Sequence, residues 1–256
     1  MESKNKIINE AEQTKPAHNV LREKHKNQEK VKKIVMSALF CALAYVTMFV
    51  FHIRVAGFLT FDAKDAIITL AGLLFGPLSS LAISFAVAFI EMISVSVTGW
   101  WGFLMNFLAS ATFSCTAAVI YKYKHNIKGA IVGLISAVFT TTAVMVVLNL
   151  FVTPLYTGST TAAIATMIPT LLFPFNLTKA IMNAALVLLL YKPISRTMKA
   201  TGIAKLSEIK PHDMTPEQKK RRRRTNIGVA ITGVLFVAAS ILVFIVVLGG
   251  KIAFFK

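Results

Sequence analysis

The chain has 256 residues, of which 55% are hydrophobic and 15% are charged, and its formal net charge is +17. A soluble domain of this size could not bury so much apolar surface, and the apolar residues come in long runs. Composition therefore excludes an ordinary soluble protein and predicts an all-α integral membrane protein.

Basic residues concentrate in three segments that alternate with segments nearly free of them. Nine of the 28 lie in residues 1–33, three in 122–128 and eleven in 192–224. This positive-inside pattern predicts a multi-pass protein of the cell membrane, with its N-terminus in the cytoplasm and its C-terminus outside. The arginine run 221–224 then indicates contact with anionic lipid of the bilayer, and no nucleic-acid partner is expected.

Seven apolar spans follow a charged cytoplasmic N-terminal segment at residues 1–32. Gly76-Pro77 separates the second span from the third, because proline disfavours helix at the residue before it. A six-helix bundle is expected within 33–192, a basic cytoplasmic linker at 193–224, and one additional C-terminal transmembrane helix within 225–256. The expected spans are about 33–53, 64–75, 77–96, 102–121, 129–152, 169–191 and 226–248.

The sixth span carries Asn176, Lys179 and Asn183 within an otherwise apolar stretch. At about 100° per residue the three side chains share one face of a helix. A lysine inside a membrane span costs about 2.5–3.5 kcal/mol on insertion scales, so it needs a partner or a polar cavity. The pattern predicts a solute site inside the bundle.

Two other spans place polar groups at the same depth. If the spans alternate in direction, Glu91, Asn149, Asn176 and Lys179 all lie toward the outside. We expect them to line a pocket open to the outside, with Glu91 and Lys179 paired when no solute is bound. The structural alternatives are a buried ion pair for Glu91 and Lys179, an interhelical hydrogen bond for Asn149, and a helix cap for Asn176.

The outer segments 54–64 and 153–168 are apolar for exposed loops, which predicts that they cover the pocket or lie at the lipid interface. Two amides, one ammonium and one carboxylate suit a neutral planar solute with carbonyl and N–H groups. Cys41 and Cys115 lie inside apolar runs, so neither a disulfide nor a metal site is indicated.

Five stretches within about 34–195 form an ordered set of motifs. They are Phe58-Leu-Thr-Phe-Asp-Ala-Lys-Asp65, Gly72-Leu-Leu-Phe-Gly-Pro77, Thr98-Gly-Trp-Trp-Gly-Phe-Leu-Met-Asn106, Asn149 with Pro154-Leu-Tyr156, and Asn176-Leu-Thr-Lys-Ala-Ile-Met-Asn183. In this order and topology the chain resembles the riboflavin-specific substrate-binding (S) component of energy-coupling-factor (ECF) type ABC transporters. The seventh span and its linker depart from that family's six-helix pattern.

The resemblance implies a vitamin-capturing subunit with no catalytic activity and no cofactor, for which riboflavin is the transported ligand. It implies that the flavin ring is held at Glu91, Asn149, Asn176 and Lys179. The loop before the second span is expected to contribute, and the full expected ligand-binding set is Leu59, Thr60, Phe61, Glu91, Asn149, Asn176, Lys179 and Asn183.

The resemblance also implies partner chains, namely an ECF transmembrane coupling protein and two ATPase subunits. This chain has no phosphate-binding glycine motif, so ATP hydrolysis would be supplied by those partners. Ala38 and Ala42 in the first span have the small-xxx-small spacing that lets another helix approach, and they are the expected partner-binding residues.

Three other interpretations stay open on sequence alone. The chain could be an S component for another vitamin, or a stand-alone proton-coupled secondary transporter that uses Glu91 and Lys179. An intramembrane enzyme is the third, although none of the five histidines lies in a cluster typical of such enzymes.

Overall fold

The computed structural model describes residues 2–50, 53–56, 59–123, 126–200 and 231. Five of its helical segments are long and apolar enough to cross a membrane. They are Asn27–Val50, Pro77–Ser94, Gly99–Tyr123, Ile127–Thr157 and Thr161–Arg196. The helical membrane class is therefore confirmed, whereas the expected count of six helices plus one is not. Apart from Ile231, the expected C-terminal helix lies outside the described residues, as does the linker from residue 201 onward.

The described elements are, in chain order, seven α-helices, two short strands and one π-helical turn. They are α1 (Glu2–Val50), β1 (Ile53–Ala56), β2 (Leu59–Phe61), α2 (Lys64–Phe75), α3 (Pro77–Ser94), α4 (Gly99–Tyr123), α5 (Ile127–Thr157), α6 (Thr161–Met167), the π turn (Ile168–Leu172) and α7 (Phe173–Ala200).

The first helix is much longer than the expected first span. It runs for 49 residues without interruption, through the charged segment 1–32 and into the apolar span. Between residues 20 and 50 the chain has no glycine or proline, and lysine, glutamate and glutamine are good helix formers. The boundary near residue 32 is thus a change of composition within one helix.

The second helix is the shortest of the expected spans, at 12 residues. Its length of about 18 Å cannot cross a hydrocarbon core of about 30 Å. Residues Lys64 to Leu73 are all buried, because α2 lies against α1, α3, α4 and α7. It ends where expected, at Gly76, whose φ of 98° suits glycine, and Pro77 then begins α3.

Close packing between α4 and α5 forms one wall of the bundle. A Cβ added at Gly133 would lie 2.8 Å from the backbone oxygen of Ala117, so glycine allows the two helices to meet. The Asn126 side chain caps α5 by accepting a hydrogen bond of 2.8 Å from the Gly129 amide.

The sixth expected span differs from the structure at its N-terminal end. Instead of starting near residue 169, the helical path begins with α6, passes through the π turn that contains Pro169, and continues as α7. Proline lacks the amide hydrogen that an α-helix requires, which accounts for the irregular turn at this point.

The segment 54–64, predicted to cover the pocket, contains an antiparallel hairpin of β1 and β2. Leu59 and Phe61 of β2 are buried in a small apolar cluster with Ile164, Leu172 and Phe175. The rings of Phe61 and Phe175 meet edge to face, with their centroids 6.1 Å apart. The hairpin is therefore packed on the bundle at the start of α7.

Candidate functional site

A cavity lies between β2, α2, α4, α5 and α7. Its lining combines amides, hydroxyls and one ammonium with methionine and aromatic side chains. The lining residues are Leu59, Thr60, Asp65, Met105, Asn106, Ala109, Phe113, Thr141, Met145, Asn149, Tyr156, Phe175, Asn176, Lys179, Ala180 and Asn183. Mixed polar and apolar walls of this kind are typical of small-molecule sites.

Most of the expected ligand-binding residues line this cavity. They are Leu59, Thr60, Asn149, Asn176, Lys179 and Asn183. Phe61 and Glu91 do not line it: Phe61 packs on Phe175, and Glu91 lies behind the wall. A ligand-binding role for these residues stays a prediction.

Glu91 does not pair with Lys179, contrary to the sequence-based expectation. Its Oε2 lies 2.5 Å from Lys64 Nζ, and its Oε1 accepts a hydrogen bond of 3.0 Å from Asn106 Nδ2. Asn106 lines the cavity, so Glu91 contacts the cavity wall through that amide. The sequence predicts Lys64 at the end of the outer segment 54–64. In the structure Lys64 is buried in the first turn of α2, and its ammonium reaches Glu91 on α3.

Lys179 instead holds the hairpin. Its Nζ donates to Asp62 Oδ2 at 2.8 Å and to the Thr60 carbonyl at 3.3 Å. Asp62 follows directly after β2 and is buried, and its Oδ2 also lies 3.8 Å from Lys64 Nζ. Within the described residues, the only ammonium that lines the cavity is thus bonded to the hairpin segment, whose Leu59 and Thr60 line the same cavity.

Three asparagines that line the cavity make different hydrogen bonds. Asn183 Oδ1 accepts from the Ala66 amide at 3.0 Å, and its Nδ2 donates to the carbonyl groups of Asp62 and Lys179, so it fixes the start of α2 to α7. Asn149 donates to the Met145 carbonyl at 2.7 Å and accepts from Thr153. Asn176 donates to the Leu172 carbonyl at 2.7 Å, and its Oδ1 has no hydrogen-bond partner among the described residues.

Four buried ionisable side chains and the partly buried Lys179 form one cluster with more negative than positive members. Asp62, Asp65 and Glu91 contribute three carboxylates, and Lys64 and Lys179 contribute two ammonium groups. The formal charge of the cluster is therefore −1. In a low-dielectric interior such a site favours a neutral or cationic solute over an anion.

Sequence reasoning missed Asp62, Lys64, Asp65, Asn106 and Thr141. The motif Asp62-Ala-Lys-Asp65 at the start of a short apolar helix was the available signal, because three charges in a buried turn require partners. Thr141 carried no such signal, since threonine is common inside membrane helices. No group of three or more histidine, cysteine or acidic side chains suited to a metal ion occurs in the described part of the chain.

The family model described as "ECF transporter, substrate-specific component" matches residues 32–191. The chain belongs to this family. The match spans the apolar end of α1 through most of α7 and so contains every residue that lines the cavity. The family is a transporter component and not an enzyme family.

Relatives of this S component include two riboflavin transporters. The riboflavin transporter RibU of Staphylococcus aureus (strain TCH60) is 32% identical over 181 residues, which are 68% of this chain and 95% of that protein. The riboflavin transporter FmnP of Bacillus subtilis (strain 168) is 29% identical over 164 residues, or 59% of this chain and 86% of that protein.

A solved structure of the S component of a bacterial ECF transporter has the same fold. It is 29% identical to this chain, with a TM-score of 0.57 over 66% of this chain and 99% of that one. The sequence-based resemblance to riboflavin-specific S components is therefore confirmed at the level of family, relatives and fold.

Replacing Lys64 by methionine should destabilise this S component strongly. The substitution leaves Glu91 buried without its ammonium partner, and breaking a buried ion pair in this way costs about 3–5 kcal/mol. Thermal unfolding of the purified protein in detergent should show a clear fall in Tm. The double variant Lys64→Met, Glu91→Leu should recover much of the loss, because neither charge then remains unpaired.

The matched control is Lys122→Met, since Lys122 is an exposed lysine near the end of α4. Its Tm should stay close to that of the wild type. A Lys64→Met variant as stable as the control would contradict the assigned role of the Lys64–Glu91 pair.

Proposed function

We propose that this S component captures riboflavin from the outside of the cell in the cavity between β2, α4, α5 and α7. The observation that carries the proposal is the convergence of Asn149, Asn176 and Lys179 with the hairpin residues Leu59 and Thr60 on one cavity. The similarity to two riboflavin transporters supports the choice of vitamin.

The chemistry of the wall suits a flavin ring. One edge of the isoalloxazine system presents two carbonyl oxygens and an N–H group, so it needs both donors and acceptors. Lys179 Nζ is a donor, and Asn176 Oδ1 is an acceptor without another partner among the described residues. Met105, Met145 and Phe175 supply apolar surface for the ring faces.

Closure of the hairpin over the ligand follows from the double role of Lys179. In the structure its ammonium is bonded to the hairpin through Thr60 and Asp62. An ammonium has three donor positions, so a flavin carbonyl can take the third while the hairpin stays in place. The bound ligand would then stabilise the position of the hairpin, and the hairpin would stabilise the bound ligand, because both contact Lys179.

Transport itself would require partner chains. In this proposal an ECF transmembrane coupling protein and two ATPase subunits supply the energy, and the coupling protein contacts α1 at Ala38 and Ala42. Both alanines are exposed on α1, and their small size lets another helix approach closely. The N-terminus would lie in the cytoplasm and the cavity would open outside, as the distribution of basic residues predicts.

The proton-coupled alternative loses its chemical basis in this geometry. It relied on Glu91 and Lys179 as one pair, whereas Glu91 pairs with Lys64 and Lys179 with Asp62. Another vitamin is the second candidate ligand. A binding screen with thiamine, biotin and folate distinguishes it from riboflavin.

Riboflavin added to the purified protein should show saturable quenching of its fluorescence, and Lys179→Ala should weaken binding at least about tenfold. The reason is that one hydrogen bond to a charged group is worth about 1.5–3 kcal/mol. Thiamine, biotin and folate should not compete. Absence of saturable quenching at micromolar wild-type protein would contradict the proposal, and an unchanged affinity of the variant would remove Lys179 from the site.

Ala42→Trp should reduce riboflavin uptake by cells that express the complete transporter, while riboflavin binding by the purified protein stays unchanged. The indole would prevent close approach of a partner helix without touching the cavity. Leu43→Trp is the matched control, because Leu43 is exposed on another side of α1. Equal uptake by the Ala42→Trp and Leu43→Trp variants would place the coupling surface elsewhere.

A further inference from the structure

A second concave surface lies at the opposite ends of α2 and α4 from the cavity described above. Asp65 in the first turn of α2 lines the cavity, whereas the last turn, Gly72–Phe75, lines the second surface. Along α4 the cavity extends to Phe113, and the second surface begins at Ala118. This second surface, the inner groove, has a volume of about 400 Å³ and lies between α1, the junction of α2 with α3, and α4.

The inner groove lies where α2 ends. That helix packs on both α1 and α4 and stops at Phe75, and the chain turns directly into α3 at Pro77. A Cβ added at Gly72 would lie 2.9 Å from Ser80 Cβ and 3.1 Å from Ala118 Cβ, whereas one at Gly76 would meet no atom within 4 Å. The helices are therefore closely packed beneath the groove, and the turn at Gly76 leaves open space.

Two lysines from different helices supply the charge of the inner groove. Lys33 lies where the apolar span expected in α1 begins, and Lys122 lies in the last turn of α4. Both are exposed, and neither has an acidic partner within 4.0 Å in the described ranges of the chain. No acidic side chain is among the described residues that line the groove. Its wall therefore carries two positive charges that no acidic side chain of the wall balances.

The rest of the wall is apolar, in contrast to the cavity. Leu74 and Phe75 are partly buried, and Leu78 at the start of α3 is exposed. No asparagine or threonine is among the described residues of this wall, and the Tyr121 hydroxyl is already bonded to the Tyr191 hydroxyl at 2.6 Å. A neutral polar solute would find few partners here. A ligand with an anionic head and an apolar tail matches both parts of the wall.

The two lysines also belong to the side of the membrane where such a ligand is abundant. The positive-inside pattern predicts that residues 1–33 and 122–128 lie in the cytoplasm. The cytoplasmic leaflet is rich in anionic lipids, and basic pockets between membrane helices on this side bind lipid head groups.

We propose that the inner groove binds one anionic phospholipid of the cytoplasmic leaflet, with its phosphate at Lys33 and Lys122 and an acyl chain along Leu74 and Leu78. Because α1 packs on α2 and α3, a lipid that contacts both lysines joins α1 to α4 and stabilises the bundle. The proposal does not depend on which vitamin the cavity binds.

Thermal unfolding of the purified full-length protein, stripped of lipid in a neutral detergent, tests the proposal. Added phosphatidylglycerol should raise Tm by at least about 3 °C, because a ligand that binds only the folded state stabilises it. Phosphatidylcholine, whose head group has no net charge, and inorganic phosphate, which has no acyl chain, should each shift Tm by less than about 1 °C. The double variant Lys33→Gln, Lys122→Gln should lose most of the phosphatidylglycerol shift, while its Tm without lipid and its riboflavin affinity stay at the wild-type values.

The matched control is the double variant Lys32→Gln, Lys128→Gln. Both of these lysines are exposed near the same ends of the helices, and neither lines the groove, so the control removes the same charge from the same side of the protein. It should keep the wild-type response to lipid. Native mass spectrometry gives a second readout that does not depend on unfolding. The wild type and the control should retain one phosphatidylglycerol, and the Lys33→Gln, Lys122→Gln variant should retain none.

Equal Tm shifts with phosphatidylcholine, or an equal loss of response in the control, would overturn the proposal in favour of unspecific lipid contact. A full shift with inorganic phosphate would assign the groove to a free anion. An unchanged lipid response of the Lys33→Gln, Lys122→Gln variant would also overturn it, and reduced riboflavin uptake by the complete transporter would then assign the groove to the coupling protein. None of these results bears on the proposed riboflavin site, which fails only when the wild type binds no riboflavin.

Discussion

Ion pairing among four side chains inside the bundle (Asp62, Lys64, Glu91 and Lys179) is the constraint on which the rest of this structure depends. Lys64 pairs with Glu91, and Asp62 accepts a hydrogen bond from Lys179 and lies near Lys64. These contacts join the hairpin, α2, α3 and α7 at one place inside an apolar bundle. Because an unpaired charge in such an interior costs several kcal/mol, the elements cannot separate independently. This cluster fixes the hairpin beside the cavity together with the apolar contacts of Leu59 and Phe61.

The same cluster connects the architecture to solute capture. The 12-residue helix that cannot cross the bilayer begins inside the bundle, where Asp65 lines the cavity and Lys64 pairs with Glu91. Lys179 belongs to both the hairpin contact and the cavity wall, so one ammonium connects the two. The negative balance of the cluster disfavours an anionic ligand.

The sequence was sufficient to predict the helical membrane class, because its apolar runs are long. Proline sterics predicted the division at Gly76-Pro77. Helical periodicity predicted that Asn176, Lys179 and Asn183 share one face. The sequence was insufficient for the ion pairs. Helical periodicity places side chains on a face but does not say which faces meet, so Glu91 was paired with Lys179 when Lys64 is its partner. The packing of the hairpin on α7 likewise depends on tertiary contacts, which no local pattern encodes.

An experimental structure of the protein with riboflavin bound tests the proposed site most directly. We predict a flavin between the hairpin, α5 and α7, with its ring in contact with Asn176 and Lys179, and with Asp62 still bonded to Lys179. A flavin bound at the groove beside Lys33 and Lys122, at the other end of the bundle, would contradict it. So would a bound ligand in the cavity that leaves Lys179 without any contact to flavin or hairpin.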